Sequence, residues 1–338
     1  MFICLSCKNE YQLPKCNQCG NTSDKFEGIW QLTDDADKVV EGDGDKYIGY
    51  EHIGEHYSGD RKYIISEADA LFANEISHFT SDGVFLDLGC GDGRLTVPTA
   101  RNGTKIIAAD ISNKMMNILQ KKAHINKVSL DSVTLCRMNA LNILLADESV
   151  DCVVSNSVLH LISNPEKVIK EIHRVLKPNG CFVFQDDRPG KTSDNSYDVK
   201  LRFLAKCLSF FRKIRNTKYN NAADEIYSLY WELLAEHDVK PQKYSWKFDC
   251  DGVCDGLFSS KSEVIIPFNT EYCDKLKDGF LTRLAGRGFS DQVNVPADLH
   301  EKVLADVLEQ VAQKHGADFG ELEFRDVEAD IIMTIYRK

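Results

Sequence analysis

The chain has 338 residues, of which 43% are hydrophobic and 28% are charged, and its formal net charge is −11. That length fits one large domain or two plus a small module, and the composition is that of ordinary soluble proteins. The excess of acidic residues disfavours a protein whose main function is to bind the phosphate backbone of nucleic acids. The chain has no apolar run of about 18 residues, and its first residues do not resemble a secretory signal, so we expect a cytoplasmic protein.

Two Cys-x-x-Cys pairs stand near the start of the chain: Cys4 with Cys7, and Cys16 with Cys19. Four thiolates at this spacing are typical of a structural zinc site, because they complete a tetrahedral coordination shell. A redox dithiol is the alternative. The remaining cysteines are scattered, and several lie in apolar runs, as small buried side chains do in a reducing compartment. We therefore predict a zinc ribbon over residues 1–32.

An acidic linker and a helical entry are predicted over residues 33–80. The stretch 34–45 contains six acidic residues, one lysine and two glycines, which is typical of a solvated turn-rich segment. An aromatic-rich stretch and a helix-like pattern follow it.

The segment 81–187 alternates apolar strand-like runs with helix-like runs. A helix is predicted over residues 165–180, and Ser112 is the expected N-cap of an earlier one. The five predicted strands are VFLDLG, TKIIAAD, VTLCRMN, VDCVVSNS and CFVFQDD. Near-continuous apolar strands separated by helices predict a parallel sheet with helices on both faces.

The alternation of strand-like and helix-like runs ends after residue 187. Residues 188–262 are predicted to form a helical cap, and residues 263–338 to complete the sheet. Within the cap, residues 200–218 contain seven lysines or arginines and no acid. A basic amphipathic helix of this kind can rest on a membrane surface or on RNA, or it can be a cap helix with a solvated face.

The motif LDLGCGDGRL places a glycine-rich turn after a buried strand and before a helix, where backbone can approach a ligand closely. Dinucleotide sites use G-x-G-x-x-G, whereas here the third glycine is Gly93 and the next residue is Arg94. Asp87, two residues before Gly89, would repel a pyrophosphate. A ligand with an ammonium group fits better, and S-adenosylmethionine is such a ligand.

With these motifs the chain resembles the class I S-adenosylmethionine-dependent methyltransferases, in particular the ubiquinone/menaquinone methyltransferase-like group. IIAAD, the stretch after VTLCRM, SNSVLHLI and EIHRVLKPNGCFVF match that family in order. The resemblance implies an α/β, Rossmann-like, doubly wound and mostly parallel sheet of seven strands. The cofactor contacts that it implies are Tyr57, Asp87, Gly89, Cys90, Gly91, Asp110, Ile111, Asn139, Ala140 and Asn156.

Several of these residues can instead have purely structural roles. Gly93 can serve helix packing only, Asp110 can be a capping or turn residue, and Tyr57 can be a packing aromatic. Asn139 stands where the family more often has Asp, and it can be a loop residue or can read adenine with its donor and its acceptor.

Methyl transfer from a sulfonium is an in-line displacement, so alignment of the acceptor supplies much of the acceleration. A general base helps only where the acceptor has a proton to lose. His160 and Asp186 are the candidate bases, because both follow strands at the edge where open α/β sheets bind ligands. Either can instead be a half-buried or capping residue. Leu161 stands where quinone methyltransferases often have a second histidine.

The ribbon resembles those preceding some bacterial methyltransferases of ribosomal RNA, in which it helps to recognise RNA. Residues 1–30, however, contain three lysines and three acids, so this ribbon is neutral. The leading hypothesis is therefore a methyltransferase for a small organic acceptor, with the ribbon as a brace near the acceptor side. An rRNA or tRNA base methyltransferase, and a cofactor-binding but inactive partner protein, are the alternatives.

Overall fold

The computed structural model describes residues 1–33, 63–79, 83–185, 221–240, 249–267, 270–287, 292, 295–328 and 331–338. The strands are β1 (Phe2–Ile3), β2 (Glu10–Tyr11), β3 (Lys25–Phe26), β4 (Ile29–Gln31), β5 (Val84–Leu88), β6 (Lys105–Asp110), β7 (Val133–Arg137), β8 (Val150–Asn156), β9 (Leu176–Gln185), β10 (Ser260–Ile266), β11 (Thr270–Lys275), β12 (Glu323–Glu328) and β13 (Ile331–Arg337). The helices are α1 (Glu67–Phe79), α2 (Thr96–Ala100), α3 (Asn113–Ile125), α4 (Pro165–Val175), α5 (Asn221–Ala235), α6 (Cys250–Asp255), α7 (Phe280–Ala285) and α8 (Ala297–His315).

Nine strands form the main sheet among the described residues, in the order β10-β13-β9-β8-β5-β6-β7-β4-β3. The neighbours from β9 to β4 run parallel. β13 lies antiparallel between β9 and β10, and β3 lies antiparallel to β4 at the other edge. The predicted α/β, mostly parallel sheet is confirmed.

The chain reverses its direction of winding at β5. From β5 it proceeds through β6 to β7 on one side, and then crosses back to place β8 and β9 on the other side. Such a switch point opens a crevice at the carboxyl ends of the strands, where open α/β sheets bind their ligands.

Helices cover both faces of the sheet, as the continuous apolar strands require. Helices α1 and α3 contribute Phe72, Ile76 and Leu119 to the core on one face. Helices α4 and α6 contribute Ile172 and Cys254 to the core on the other. The buried strand VFLDL therefore has apolar partners on each side.

The sheet is two strands wider than the seven predicted, because the N-terminal segment continues it. Trp30 and Gln31 of β4 pair with Cys136 and Arg137 of β7, and β3 pairs with β4. The last two strands of the predicted ribbon segment, β3 and β4, are therefore part of the main sheet.

Local sequence explains the start of helix α3, but one predicted helix end is wrong. Ser112 caps α3 by accepting a hydrogen bond from the Met115 N–H at 3.1 Å, as expected. Helix α4 ends at Val175, and β9 begins at Leu176, five residues before the end predicted at residue 180. A proline at position 178 has no N–H to continue an α-helix.

A second core lies outside the sheet. It is formed by helices α5, α7 and α8, with Tyr230 packed near Val303 and Val307. Among the described residues, β13 and β10, which begins at Ser260, join the main sheet, while β11 and β12 pair with each other. The strands expected from SEVIIPFN and DIIMTIYRK thus extend the main sheet, while the amphipathic helix α8 buries its apolar stripe against α5.

Candidate functional site

A cavity opens at the carboxyl ends of β5, β6, β7 and β8, on the switch point of the sheet. Ten residues are predicted to contact the cofactor, and nine of them line this cavity. The tenth, Tyr57, lies outside the described residues. The nine are Asp87, Gly89, Cys90, Gly91, Asp110, Ile111, Asn139, Ala140 and Asn156. Residues separated by up to 69 positions are thus brought together by the strand order.

The three glycines of the turn after β5 have different reasons to be glycine. All have positive φ, which side chains with a Cβ rarely adopt. A Cβ on Gly89 would lie 2.3 Å from Val158 Cγ2, and one on Gly93 would lie 2.5 Å from Leu119 Cγ. A Cβ on Gly91 would meet only Met115 Cε within ordinary contact distance, at 3.5 Å, apart from backbone. Gly91 therefore leaves space for a ligand, whereas Gly93 serves helix packing.

The carboxyl group of Asp87 lies at the floor of the cavity and is 2% exposed. Burial raises its pKa to about 7; the hydrogen bond from Thr96 opposes this rise, and the nearby carboxylates of Asp110 and Asp92 add to it. The Thr96 hydroxyl donates to Asp87 Oδ2 at 2.5 Å. A cationic group of a ligand next to this carboxyl group would stabilise its ionised form.

Asp110 at the end of β6 connects the glycine turn to helix α3. Its Oδ2 accepts a hydrogen bond from the Gly91 N–H at 2.8 Å, and its Oδ1 accepts one from the Ser112 N–H at 2.9 Å. Asp110 is therefore a turn residue and also lines the cavity. Each carboxylate oxygen has a second lone pair, so these bonds leave capacity for ligand hydroxyls.

Asn139 follows β7 and shapes the loop at the cavity wall. Its Oδ1 accepts a hydrogen bond from the Leu141 N–H at 2.9 Å. This bond uses the amide oxygen as an acceptor, and Nδ2 is the donor group of the same side chain. Asn139 thus has both a structural use in its own loop and a donor that can serve a ligand.

The family match of SNSVLHLI indicated the stretch after β8, but sequence reasoning did not single out the individual apolar residues that form the wall. Val158, Leu161 and Ile162 from the turn after β8 line the cavity, together with Met115 and Met138. Apolar residues next to a glycine turn carry no distinct sequence signal, because the same pattern also builds a core.

The described residues do not place either candidate base at the cavity wall. His160 lies half-buried in a short 3₁₀ turn, Leu159–Leu161, and it is not among the residues that line the cavity, although Leu161 beside it is. Asp186 lies outside the described residues, as does the predicted basic helix over 200–218.

The four N-terminal cysteines form one cluster. Their sulfur atoms all lie within 4.8 Å of one another, with Sγ–Sγ distances of 3.6 Å for Cys4 with Cys19 and for Cys7 with Cys16. A tetrahedral zinc with sulfur ligands at about 2.3 Å separates its sulfurs by about 3.8 Å. The cysteines therefore have the spacing that such an ion requires, which is the fit expected of a zinc ribbon.

The two halves of the cluster repeat one turn. The Lys8 N–H donates to the Cys4 carbonyl, and the Gly20 N–H donates to the Cys16 carbonyl, each at 2.9 Å. Lys8 and Gly20 both have positive φ. A hydrogen bond from the Asn9 backbone is the largest influence that lowers the pKa of Cys7, to about 6. Such N–H groups favour the thiolate form that binds metals.

The described residues include no second cluster of this kind. Cys250 and Cys254 lie with their sulfurs 3.9 Å apart in α6, both buried, and no further metal ligand joins them within the described part of the chain. No helix among these residues is both long and apolar enough to cross a membrane.

Comparison with known proteins confirms the resemblance of the core. Residues 86–184 match the family model described as a methyltransferase domain. The chain is 34% identical over 183 residues to an uncharacterised methyltransferase of Schizosaccharomyces pombe, covering 52% of this chain and 64% of that protein. It is 30% identical over 122 residues to the ubiquinone/menaquinone biosynthesis C-methyltransferase UbiE of Pectobacterium carotovorum, covering 35% of this chain and 48% of that protein.

Among solved structures, the YcgJ protein of Bacillus subtilis overlaps 81% of this chain and 99% of its own, at 13% identity and a TM-score of 0.45. The chain spans less than two thirds of the length of the two curated relatives above.

Proposed function

We propose that this protein is an S-adenosylmethionine-dependent methyltransferase that acts on a small organic acceptor. The observation that carries the proposal is the convergence of nine predicted contact residues on one cavity at the switch point of the sheet. The match of residues 86–184 to a methyltransferase domain supports the same activity.

The residues present fit the cofactor. Asp87 would face its ammonium group, Asp110 its ribose hydroxyls, and Asn139 with Ala140 its adenine. Gly91 leaves the open space that close approach of a ligand needs. When bound, S-adenosylmethionine supplies an electrophilic methyl group on a sulfonium.

The chain would contribute mainly alignment and exclusion of water. Asn156 lines the cavity next to the apolar residues Val158, Leu161 and Ile162. An apolar wall near the methyl group would keep water from the displacement and would hold an acceptor in line. Alignment of this kind can supply several kcal/mol of acceleration.

A small acceptor is favoured over nucleic acid by charge. The neutral N-terminal segment and the net charge of −11 offer little attraction for phosphates. The name of the UbiE relative refers to quinone biosynthesis, which is small-molecule chemistry. His160 and Asp186 remain proposed bases for an acceptor that has a proton to lose.

We also propose that Cys4, Cys7, Cys16 and Cys19 hold a structural zinc ion. Metal analysis of the purified protein should give one zinc per chain, and replacement of Cys16 and Cys19 with serine should abolish it. A zinc content unchanged by this replacement would contradict the site.

Two assays test the proposed reaction. Isothermal titration should detect one S-adenosylmethionine per chain, and substitution Asp110→Ala should weaken binding while the protein remains folded by circular dichroism. Transfer of a labelled methyl group is then measured with a panel of quinols, phenols and amines, and with ribosomal RNA. No binding at millimolar cofactor would contradict the cofactor assignment, and transfer to RNA alone would contradict the acceptor class.

A further inference from the structure

We propose that the metal held by the four cysteines positions the loop that receives adenine, so that zinc binding and cofactor binding strengthen each other. The inference rests on the proposed function, because it concerns the adenine end of that same cavity. The loop in question is residues 138–146, which follows β7 and contains Asn139 and Ala140. We call it the adenine loop.

Strand β1 holds the far end of the adenine loop. The Ile3 N–H donates to the Leu144 carbonyl at 3.0 Å, and the Ala146 N–H donates to the Met1 carbonyl at 3.1 Å. Phe2 and Leu145 form an isolated antiparallel β-bridge between these two hydrogen bonds. Three consecutive residues of the loop thus pair with the first three residues of the chain.

The other end of the N-terminal segment holds the near end of the same loop. Gln31 pairs with Arg137 in the parallel β4–β7 register, and the Leu32 N–H donates to the Arg137 carbonyl at 2.9 Å. Asn139 and Ala140 lie between the two anchored ends and line the cavity. The segment that carries the cysteines therefore contacts the adenine side of the cavity. The expectation that it lies near the acceptor side is not supported by these contacts, because they are made to β7 and its loop.

The cysteine segment has almost no core of its own other than its metal ligands, and Phe2, Ile3, Leu5 and Leu13 also pack against the core of the main sheet. Its buried cluster consists of Cys4, Tyr11 and Cys16, with Phe2, Cys7 and Leu13 packed against it. Modules of fewer than about 40 residues usually need metals or disulfides to fold. Ile3 precedes the ligand Cys4 directly, so loss of the metal would loosen the residue that bonds the adenine loop, although its packing on the main core would remain.

Helix α4 supports the loop independently of the metal. Arg174 donates to the carbonyls of Ile143 and Leu145 at 2.7 and 2.8 Å, and the Ile143 N–H donates to Glu171 Oε2 at 2.9 Å. The loop would therefore loosen without the metal but would keep its place on the core. A partial loss of cofactor affinity follows, and not a loss of the fold.

The link must act in both directions, because two ligands that bind one protein change each other's affinity by the same factor. The first experiment titrates S-adenosylhomocysteine into the full-length protein, zinc-loaded and after chelator treatment. We expect about a tenfold weaker affinity without zinc, within the range usual for linked sites. Equilibrium competition with a chromogenic chelator should show zinc held about tenfold more tightly in the presence of S-adenosylhomocysteine. Equal affinities in either arm would overturn the inference.

A pair of variants keeps the test independent of metal removal. Ile3→Pro removes the N–H that reaches Leu144 and keeps all four cysteines, whereas Ile3→Ala keeps that N–H. We expect both to retain one zinc, and Ile3→Pro to bind S-adenosylhomocysteine and methylthioadenosine several-fold more weakly than Ile3→Ala. Methylthioadenosine lacks the amino-acid end, so an effect on the adenine end must appear with both probes.

The outcomes separate the two proposals. Zinc-loaded wild-type protein that binds neither probe would contradict the proposed function. Binding that is equal in Ile3→Pro and Ile3→Ala, or a loss seen with S-adenosylhomocysteine alone, would contradict the role of the adenine loop and leave the function standing.

Discussion

The Nζ atom of Lys122 lies 3.0 Å from Oδ2 of Asp92, and both side chains are almost completely buried. Asp92 belongs to the glycine turn that lines the cavity, and Lys122 belongs to helix α3. The pair thus joins the turn to the helix that packs beneath it. Removal of one partner from a buried pair leaves an uncompensated charge.

Substitution Lys122→Met is therefore predicted to destabilise the protein by about 3–5 kcal/mol, because Asp92 would remain buried without its partner. Urea denaturation followed by circular dichroism measures the change. The double variant Lys122→Met with Asp92→Asn is the matched control and should recover part of the loss. A single variant as stable as wild type would show that Asp92 reaches solvent.

The pH dependence of cofactor binding is predicted from Asp87, whose pKa is raised to about 7 chiefly by burial. A cationic ligand favours the ionised carboxylate, so binding should expel a proton below pH 7. Affinity should rise with pH, by up to tenfold per unit, and level off above about pH 7. Titration calorimetry in buffers of different ionisation enthalpy counts the proton.

The same group has the opposite effect on the free energy of unfolding. Its folded pKa lies above the unfolded value, so the folded protein binds more protons between about pH 4 and pH 7, and stability falls as pH rises through this window. Asp87→Asn should remove both dependences. Cofactor affinity that rises with pH equally in Asp87→Asn would assign the effect to another group.

The glycine turn should separate binding from folding. Gly91→Ala adds a methyl group that meets only Met115 Cε among side chains within 4 Å, so it should weaken cofactor binding with a stability loss of about 1–2 kcal/mol from its positive φ. Gly93→Ala meets Leu119 and Val97 and should destabilise by more than this. Melting temperature and calorimetric affinity are measured for both. Equal losses of cofactor affinity in Gly91→Ala and Gly93→Ala, with both proteins folded, would contradict the distinction between the two glycines.

Substitution His160→Ala tests the proposed base. Cofactor affinity should not change, because His160 does not line the cavity as described. If it removes a proton from the acceptor, turnover should fall by about 10²–10⁴-fold. Turnover that is unchanged with every acceptor in the panel would exclude it as the base.

The sequence was sufficient for the parts of the fold with strong local signals. The strand-turn-helix context of LDLGCGDG and the acid that ends IIAAD predict Asp87, Gly91 and Asp110 as contacts of one ligand, and all three line one cavity. Strand order brings such residues together because the carboxyl ends of parallel strands meet at one edge.

Other features depended on pairing that local patterns do not encode. Ile29–Gln31 is three residues long, and nothing in its composition indicates that it would extend the sheet beside β7. The stripe of valines on α8 is amphipathic whichever surface it covers, so its burial against α5 could not be distinguished from burial against the sheet. The apolar wall of the cavity has the same ambiguity.

The central claim is most directly tested by calorimetric titration of S-adenosylmethionine into zinc-loaded wild-type protein and into Gly91→Ala at pH 8. We predict one site per chain in the wild type and markedly weaker binding in the variant, with both proteins folded. Absence of binding to the wild type at millimolar cofactor, or equal binding to both, would contradict the placement of the cofactor at the glycine turn.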